Sequence, residues 1–229
     1  MWLRKGGKSG RLLAAGIALG AMVLGVGGAE AAKDNIRVKI APGIPYVDIT
    51  IGGRTMRIMR NQDPKHRVTN SYTKTSRACP PFCIQPMSPA PGVRTVGELE
   101  LLDFLKKKVE TGKGVLIDAR IPAWHKKGTI PGAVNIPFTL LDKRNPYRDR
   151  ILMVLGARKL EDGTWDFGNA RDLLLFCNGP WCGQSPHAIR NLIAAGYPPE
   201  KLYYYRGGMQ SWQLLGLTVV KPNIASARR

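Results

Sequence analysis

Acidic residues are scarce in this sequence. Sixteen Asp and Glu stand against 35 Lys and Arg, a formal net charge of +19 over 229 residues. The excess is dispersed: residues 32–92 carry ten basic and three acidic side chains, residues 93–229 carry 21 and 12. No basic block is interleaved with aromatics, so nucleic acid is not indicated as a partner. Attraction to small anions or acidic surfaces is. Cysteine is sparse too, with only Cys79, Cys83, Cys177 and Cys182. Neither pair has a two-residue spacing, which argues against a four-cysteine metal site, a thioredoxin motif and c-type haem attachment. No metal and no cofactor is indicated. Position 183 is Gly, not the Arg that a phosphate-clamping loop needs six residues after its cysteine, so a phosphatase is rejected.

Long apolar runs are absent except for one. Arg4, Lys5, Lys8 and Arg11 precede Leu12 to Gly28, and Ala29-Glu30-Ala31 fits a small-x-small cleavage site. Residues 1–31 therefore read as a secretory signal peptide. The rival is an uncleaved membrane anchor, because the run approaches spanning length. The basic stretch lacks a twin-Arg pair, which favours export in the unfolded state. The expected location is periplasmic or secreted, with membrane association only if the leader is retained. Removing residues 1–31 leaves a net charge of +16. An oxidising compartment permits disulfides. Cys79 and Cys83 are read as a structural disulfide, with a sulfur or electron relay as the alternative.

The chemistry-bearing stretch is residues 172–186. Leu173 to Phe176 is an apolar run without helical period, expected as a buried strand. Asn178 to Gln184 contains two Gly and a Pro and is expected as a loop. Ser185-Pro186 opens a helix, Ser as N-cap and Pro at the first helical position, and Ile189, Leu192 and Ile193 continue it to Gly196. Cys177 thus ends a strand and faces loop N–H groups and a helix N-terminus, where a thiol ionises more easily. The competing reading is a structural cysteine that happens to end a strand.

Elsewhere, Ile36, Val38 and Ile40 alternate with polar residues, and residues 46–51 and 55–59 flank Gly52-Gly53, a hairpin signal. Residues 61–92 are polar, Pro-rich and aperiodic. Val96, Leu99, Leu102 and Leu105 form a helical stripe; residues 115–119, 133–136 and 202–205 are expected strands; helices are expected near 150–157 and after Gly207-Gly208. Alternating strands and helices argue a parallel α/β sheet, with sites at the carboxyl ends of the strands.

Val115–Asp118 with Arg120, Gly128-Thr-Ile-Pro-Gly-Ala133 with Asn135-Ile-Pro137, the strand ending at Cys177, and Arg206-Gly-Gly-Met-Gln-Ser-Trp212 together resemble a rhodanese domain over residues 93–222. The resemblance implies a doubly wound parallel sheet flanked by helices; residues 32–92, which it does not cover, are read from their own pattern as an extended, hairpin-bearing extension, and residues 223–229 as a flexible tail. It implies a sulfurtransferase in which Cys177 carries sulfur as a persulfide, from thiosulfate, a persulfide or a polysulfide to a nucleophilic acceptor, and possible partners among small sulfur anions and protein sulfur acceptors or redox partners. Loop residues Asn178, Gly179, Trp181, Cys182, Gly183, Gln184 and Ser185, with Arg206, are the expected site. The family's loop is about two residues shorter and often ends in Arg, and Thr129 stands where the family has His. Arg206, His187 or Arg190 would have to replace that Arg. Cys182 is read as a resolving thiol, as a loop residue packed on Trp181, or as the nucleophile itself. Trp181 is placed at the pocket mouth or in the core, Asp118 and Arg120 in structural bonds below the sheet end, and His66 and His125 in solvent. A thiol–disulfide oxidoreductase using Cys177 and Cys182, and a non-catalytic binding module, are the other function classes.

Overall fold

The computed structural model describes residues 36–222. The leader over 1–31 and the tail over 223–229 lie outside the described residues. Among the described residues, no helix is long and apolar enough to cross a membrane.

Among the described residues the first elements are an antiparallel hairpin, β1 (Tyr46–Ile51) and β2 (Arg54–Met59). Gly52 and Gly53 turn it with φ of +57° and +76°, the backbone that a two-residue hairpin loop requires. After an irregular stretch come β3 (Arg94–Val96), α1 (Glu98–Phe104), β4 (Gly114–Asp118), α2 (Pro122–His125), β5 (Val134–Asn135) and α3 (Arg148–Val154). A small hairpin of β6 (Arg158–Lys159) and β7 (Trp165–Asp166) leads into β8 (Asp172–Phe176), α4 (Gln184–Ala194), β9 (Leu202–Tyr205) and α5 (Gly208–Leu214). The main sheet is wholly parallel, in the order β3-β9-β8-β4-β5. β8 is its central strand.

Both faces of this sheet are covered, so β8 is apolar without alternation. Its side chains nonetheless divide by strand period. Leu173 and Leu175 join Ile117, Leu152, Ile189 and Leu192 on one face. Leu174 and Phe176 join Leu101, Leu116, Met209 and Trp212 on the other. The hairpin contributes Ile49 and Ile58 to that second face, and Tyr72 of the irregular stretch joins them. The extension is therefore part of the core. The alternation carries Cys177, the next residue after β8, to the face of Leu175, where α4 packs.

Around Ile36, Val38 and Ile40 the Gln62 amide takes the N–H groups of Arg37 and Val38 at 3.0 and 3.1 Å and donates to the Val38 carbonyl, so that backbone is satisfied without a partner strand. Two expectations are corrected. The helical stripe is misplaced. Val96 lies in β3, Leu99 is 48% exposed, and the buried face is Leu101, Leu102, Phe104 and Leu105, because the helix begins only at Glu98. Ser185 is not an N-cap. The helix starts two residues earlier, at Gln184, with Gly183 as its N-cap and no side-chain cap.

Candidate active site

The carboxyl end of β8 meets the amino end of α5. Met209 N–H donates to the Cys177 carbonyl at 3.0 Å and Gln210 N–H to the Asn178 carbonyl at 2.9 Å. This approach depends on Gly208, at φ +55°: a Cβ there would stand 2.4 Å from the Cys177 carbonyl oxygen and 2.7 Å from Gly179 N. Gly208 thus does more than turn the backbone; it lets the helix grip the loop.

Cys177 and Cys182 are both free thiols, 2% and 5% exposed. The Ser185 hydroxyl, itself fully buried, donates to Cys177 Sγ at 3.1 Å. Burial raises the Cys177 pKa, but hydrogen bonds from the Cys182 side chain, the Ser185 hydroxyl and the N–H groups of Ser185 and Gly179 outweigh it, and the net value falls to about 7. One contact opposes ionisation: the Cys182 carbonyl, 3.1 Å from Sγ, accepts from the thiol and faces the thiolate unfavourably. Cys182 shifts upward, through its bond to Cys177, its burial and the neighbouring charge. The pair therefore holds one proton on Cys182 while Cys177 ionises first.

The loop is braced from below. Asp118 and Arg120 form a buried, two-pronged ion pair at 2.8 and 2.6 Å. Arg120 also donates to Tyr72 Oη at 3.1 Å, and Tyr72 donates to Asn178 Oδ1 at 2.7 Å. Thr129 donates to Asp118 at 2.8 Å. His125, expected in solvent, contacts the same carboxylate through Nδ1 at 2.9 Å with 14% of its side chain exposed. Burial raises Asp118, yet the bonds from Arg120, His125 and Thr129 prevail and hold it below the usual carboxylate range.

The extension forms the outer wall. Cys79 and Cys83 are disulfide-bonded, and Phe82 within that loop packs edge-on against Trp181 at 5.5 Å. Gln85 N–H donates to the Pro180 carbonyl at 2.7 Å. Trp181 is fixed further by its Nε1–H on Gln210 at 2.7 Å and by Arg77 stacked 4.0 Å over its ring. Between these walls lies an open cavity of about 530 Å³, lined by Phe82, Trp124, Phe138, Trp181, Cys182 and Arg190 among others.

Most of the expected site residues converge. Gly179 and Ser185 present N–H groups to the sulfur. Asn178, Trp181, Cys182, Gly183 and Gln184 line the cavity, with His187 and Arg190. Arg206 does not line it: its guanidinium is spent on the Gln85 carbonyl at 2.9 and 3.2 Å, where it ties down the extension. His187 reaches Asp142 at 2.6 Å. Tyr72, Phe82 and Gln85 join the site without a signal in the sequence. No local pattern marks them, because each acts over about a hundred residues of chain. Among the described residues, no cluster of His, Cys, Asp or Glu could hold a metal ion.

The chain is similar to several known proteins. A helix-turn-helix-type transcriptional regulator of Mycobacterium tuberculosis is 32% identical over 115 residues, 50% of this chain; the chain spans 41% of that relative's length. A rhodanese-related protein of Thermoplasma volcanium is 21% identical, with 56% of this chain and 99% of that one covered at a TM-score of 0.37. A human single-domain sulfurtransferase is 23% identical, with 53% and 96% covered, also at 0.37. Residues 101–215 match the model of the Rhodanese-like domain, and the chain belongs to that family.

Proposed function

We propose that this protein is an exported sulfurtransferase that carries sulfane sulfur on Cys177. The observation that carries the reading is the environment of that thiol: buried at the end of the central strand, yet surrounded by donors that favour its anion. The Cys177 thiolate attacks the sulfane sulfur of a donor. A new S–S bond forms, the donor's own S–S bond breaks, and its electron pair leaves with the departing anion. An acceptor nucleophile then attacks the outer sulfur and Cys177 leaves as thiolate. The N–H groups of Gly179 and Ser185 and the Ser185 hydroxyl stabilise the anion at both stages.

The cavity bears on the donor. Among the described residues, Arg190 is the one lining side chain with a permanent charge, against a wall of Phe82, Trp124, Phe138 and Trp181. The oxyanion head of thiosulfate finds no bidentate clamp in the loop, so persulfides and polysulfides, which carry no such oxygens, are the better-matched donors. Export rests on the pattern of residues 1–31 and accords with the Cys79–Cys83 disulfide.

The test is intact-mass analysis after exposure to polysulfide. The parent protein gains the mass of one sulfur atom and releases thiocyanate on addition of cyanide; Cys177→Ser does neither. Equal turnover by Cys177→Ser and the parent would refute the assignment.

A further inference from the structure

The thiol that lines the cavity is Cys182, not Cys177. After Cys177 the loop turns back on itself, with Cys182 N–H donating to the Gly179 carbonyl at 2.9 Å. This turn lays Cys182 against Cys177: its carbonyl is 3.1 Å from Cys177 Sγ, and its thiol is near enough to that sulfur to favour the Cys177 anion. Cys182 Sγ also contacts Gln184 Oε1 at 3.8 Å. Two reduced, buried thiols in one loop are thus stacked, with one facing the cavity.

We infer that Cys182 resolves the Cys177 persulfide, releasing hydrosulfide into the cavity and closing a Cys177–Cys182 disulfide. This rests on the sulfurtransferase reading and adds a second route for the bound sulfur. The persulfide carries its negative charge on the outer sulfur. The Cys182 thiol gives that sulfur its proton, and the resulting Cys182 thiolate attacks Cys177 Sγ. The Cys182–Cys177 S–S bond forms, the bond between Cys177 Sγ and the outer sulfur breaks, and the electron pair leaves with HS⁻. One proton and one negative charge stand on each side. The outer sulfur is reduced and the two cysteines are oxidised, so no external oxidant enters. A dithiol reductant then restores both thiols, itself becoming a disulfide. The arrangement of a persulfide behind a cavity-lining thiol suits a sulfur that leaves as a small ion.

The experiment loads the full-length reduced protein and Cys182→Ser with polysulfide, removes excess donor, and follows mass and free sulfide over time. The parent is expected to lose the added sulfur, release one sulfide per chain, and end two hydrogens lighter than the reduced protein, with Cys177 and Cys182 joined in one cross-linked peptide. Cys182→Ser is expected to take up sulfur more slowly, because it loses the thiol that favours the Cys177 anion, but to retain what it takes up; Cys182→Ala supplies the same reading if the serine variant folds poorly. A parent that retains its persulfide as long as the variants, with no cross-linked peptide, overturns the resolving role and leaves the sulfurtransferase standing. If neither parent nor variants gain sulfur, both readings fall.

Discussion

Replacing Ser185 with Ala tests how the site lowers the Cys177 pKa. The substitution deletes one buried hydroxyl, 3.1 Å from the sulfur, and leaves the Ser185 N–H in place. A hydrogen bond to a charged group contributes about 1.5–3 kcal/mol. At about 1.4 kcal/mol per pKa unit, Cys177 should rise by roughly one to two units. From about 7 in the parent, that places the variant at roughly 8–9. The thiolate fraction at neutral pH then falls about five- to fiftyfold, but a more basic thiolate is intrinsically more nucleophilic, with a Brønsted slope of about 0.4–0.5. The net loss in reaction with polysulfide at pH 7 is therefore only about two- to eightfold. Above the variant's own pKa the order inverts, and Ser185→Ala reacts faster than the parent. The assay is ultraviolet titration of thiolate absorbance, taken as a difference against Cys177→Ser, alongside the pH profile of sulfur uptake. An unmoved midpoint, or a rate deficit that persists unchanged at high pH, would refute the reasoning.

Gly208→Ala places a Cβ against the Cys177 carbonyl in a left-handed backbone conformation. It should cost about 1–3 kcal/mol in chemical denaturation and slow sulfur uptake, because the loop must move. Tyr72→Phe removes a buried hydroxyl that bridges Arg120 and Asn178. A loss of about 1–3 kcal/mol is expected by denaturant titration, with weaker sulfur loading. Asp118→Ala leaves Arg120 buried without its carboxylate, and a loss of about 3–5 kcal/mol should follow in the same titration. Asp118 also sets an acid limit. Its folded pKa is depressed, so its contribution to stability is present above the unfolded carboxylate value and is lost as pH falls through the folded one. Thermal melts of the parent should therefore drop on acidification below the ordinary carboxylate range, and Asp118→Asn should remove this part of the dependence.

Local physics makes several elements legible in the sequence. A glycine pair between alternating strands specifies the Gly52-Gly53 hairpin. An apolar run followed by a Gly- and Pro-rich loop and a helix specifies the β8–loop–α4 unit, and with it the place of Cys177. These depend on backbone dihedrals and on periodicities within a few residues. The errors have an equally physical origin. Ser185 has the chemistry of a helix cap, but its hydroxyl finds the Cys177 sulfur. His125 reads as a surface residue beside Lys126 and Lys127, but the Asp118 carboxylate takes it into the buried network.

The sequence alone determined which sulfur ends the central strand, because strand, loop and helix are dictated by neighbours in the chain. Only the tertiary structure decided what surrounds that sulfur. Tyr72 reaches Asn178 across 106 residues and Arg206 binds the Gln85 carbonyl across 121. Such contacts depend on which surfaces come to lie together when the core closes, and no short stretch of sequence encodes a partner so far along the chain.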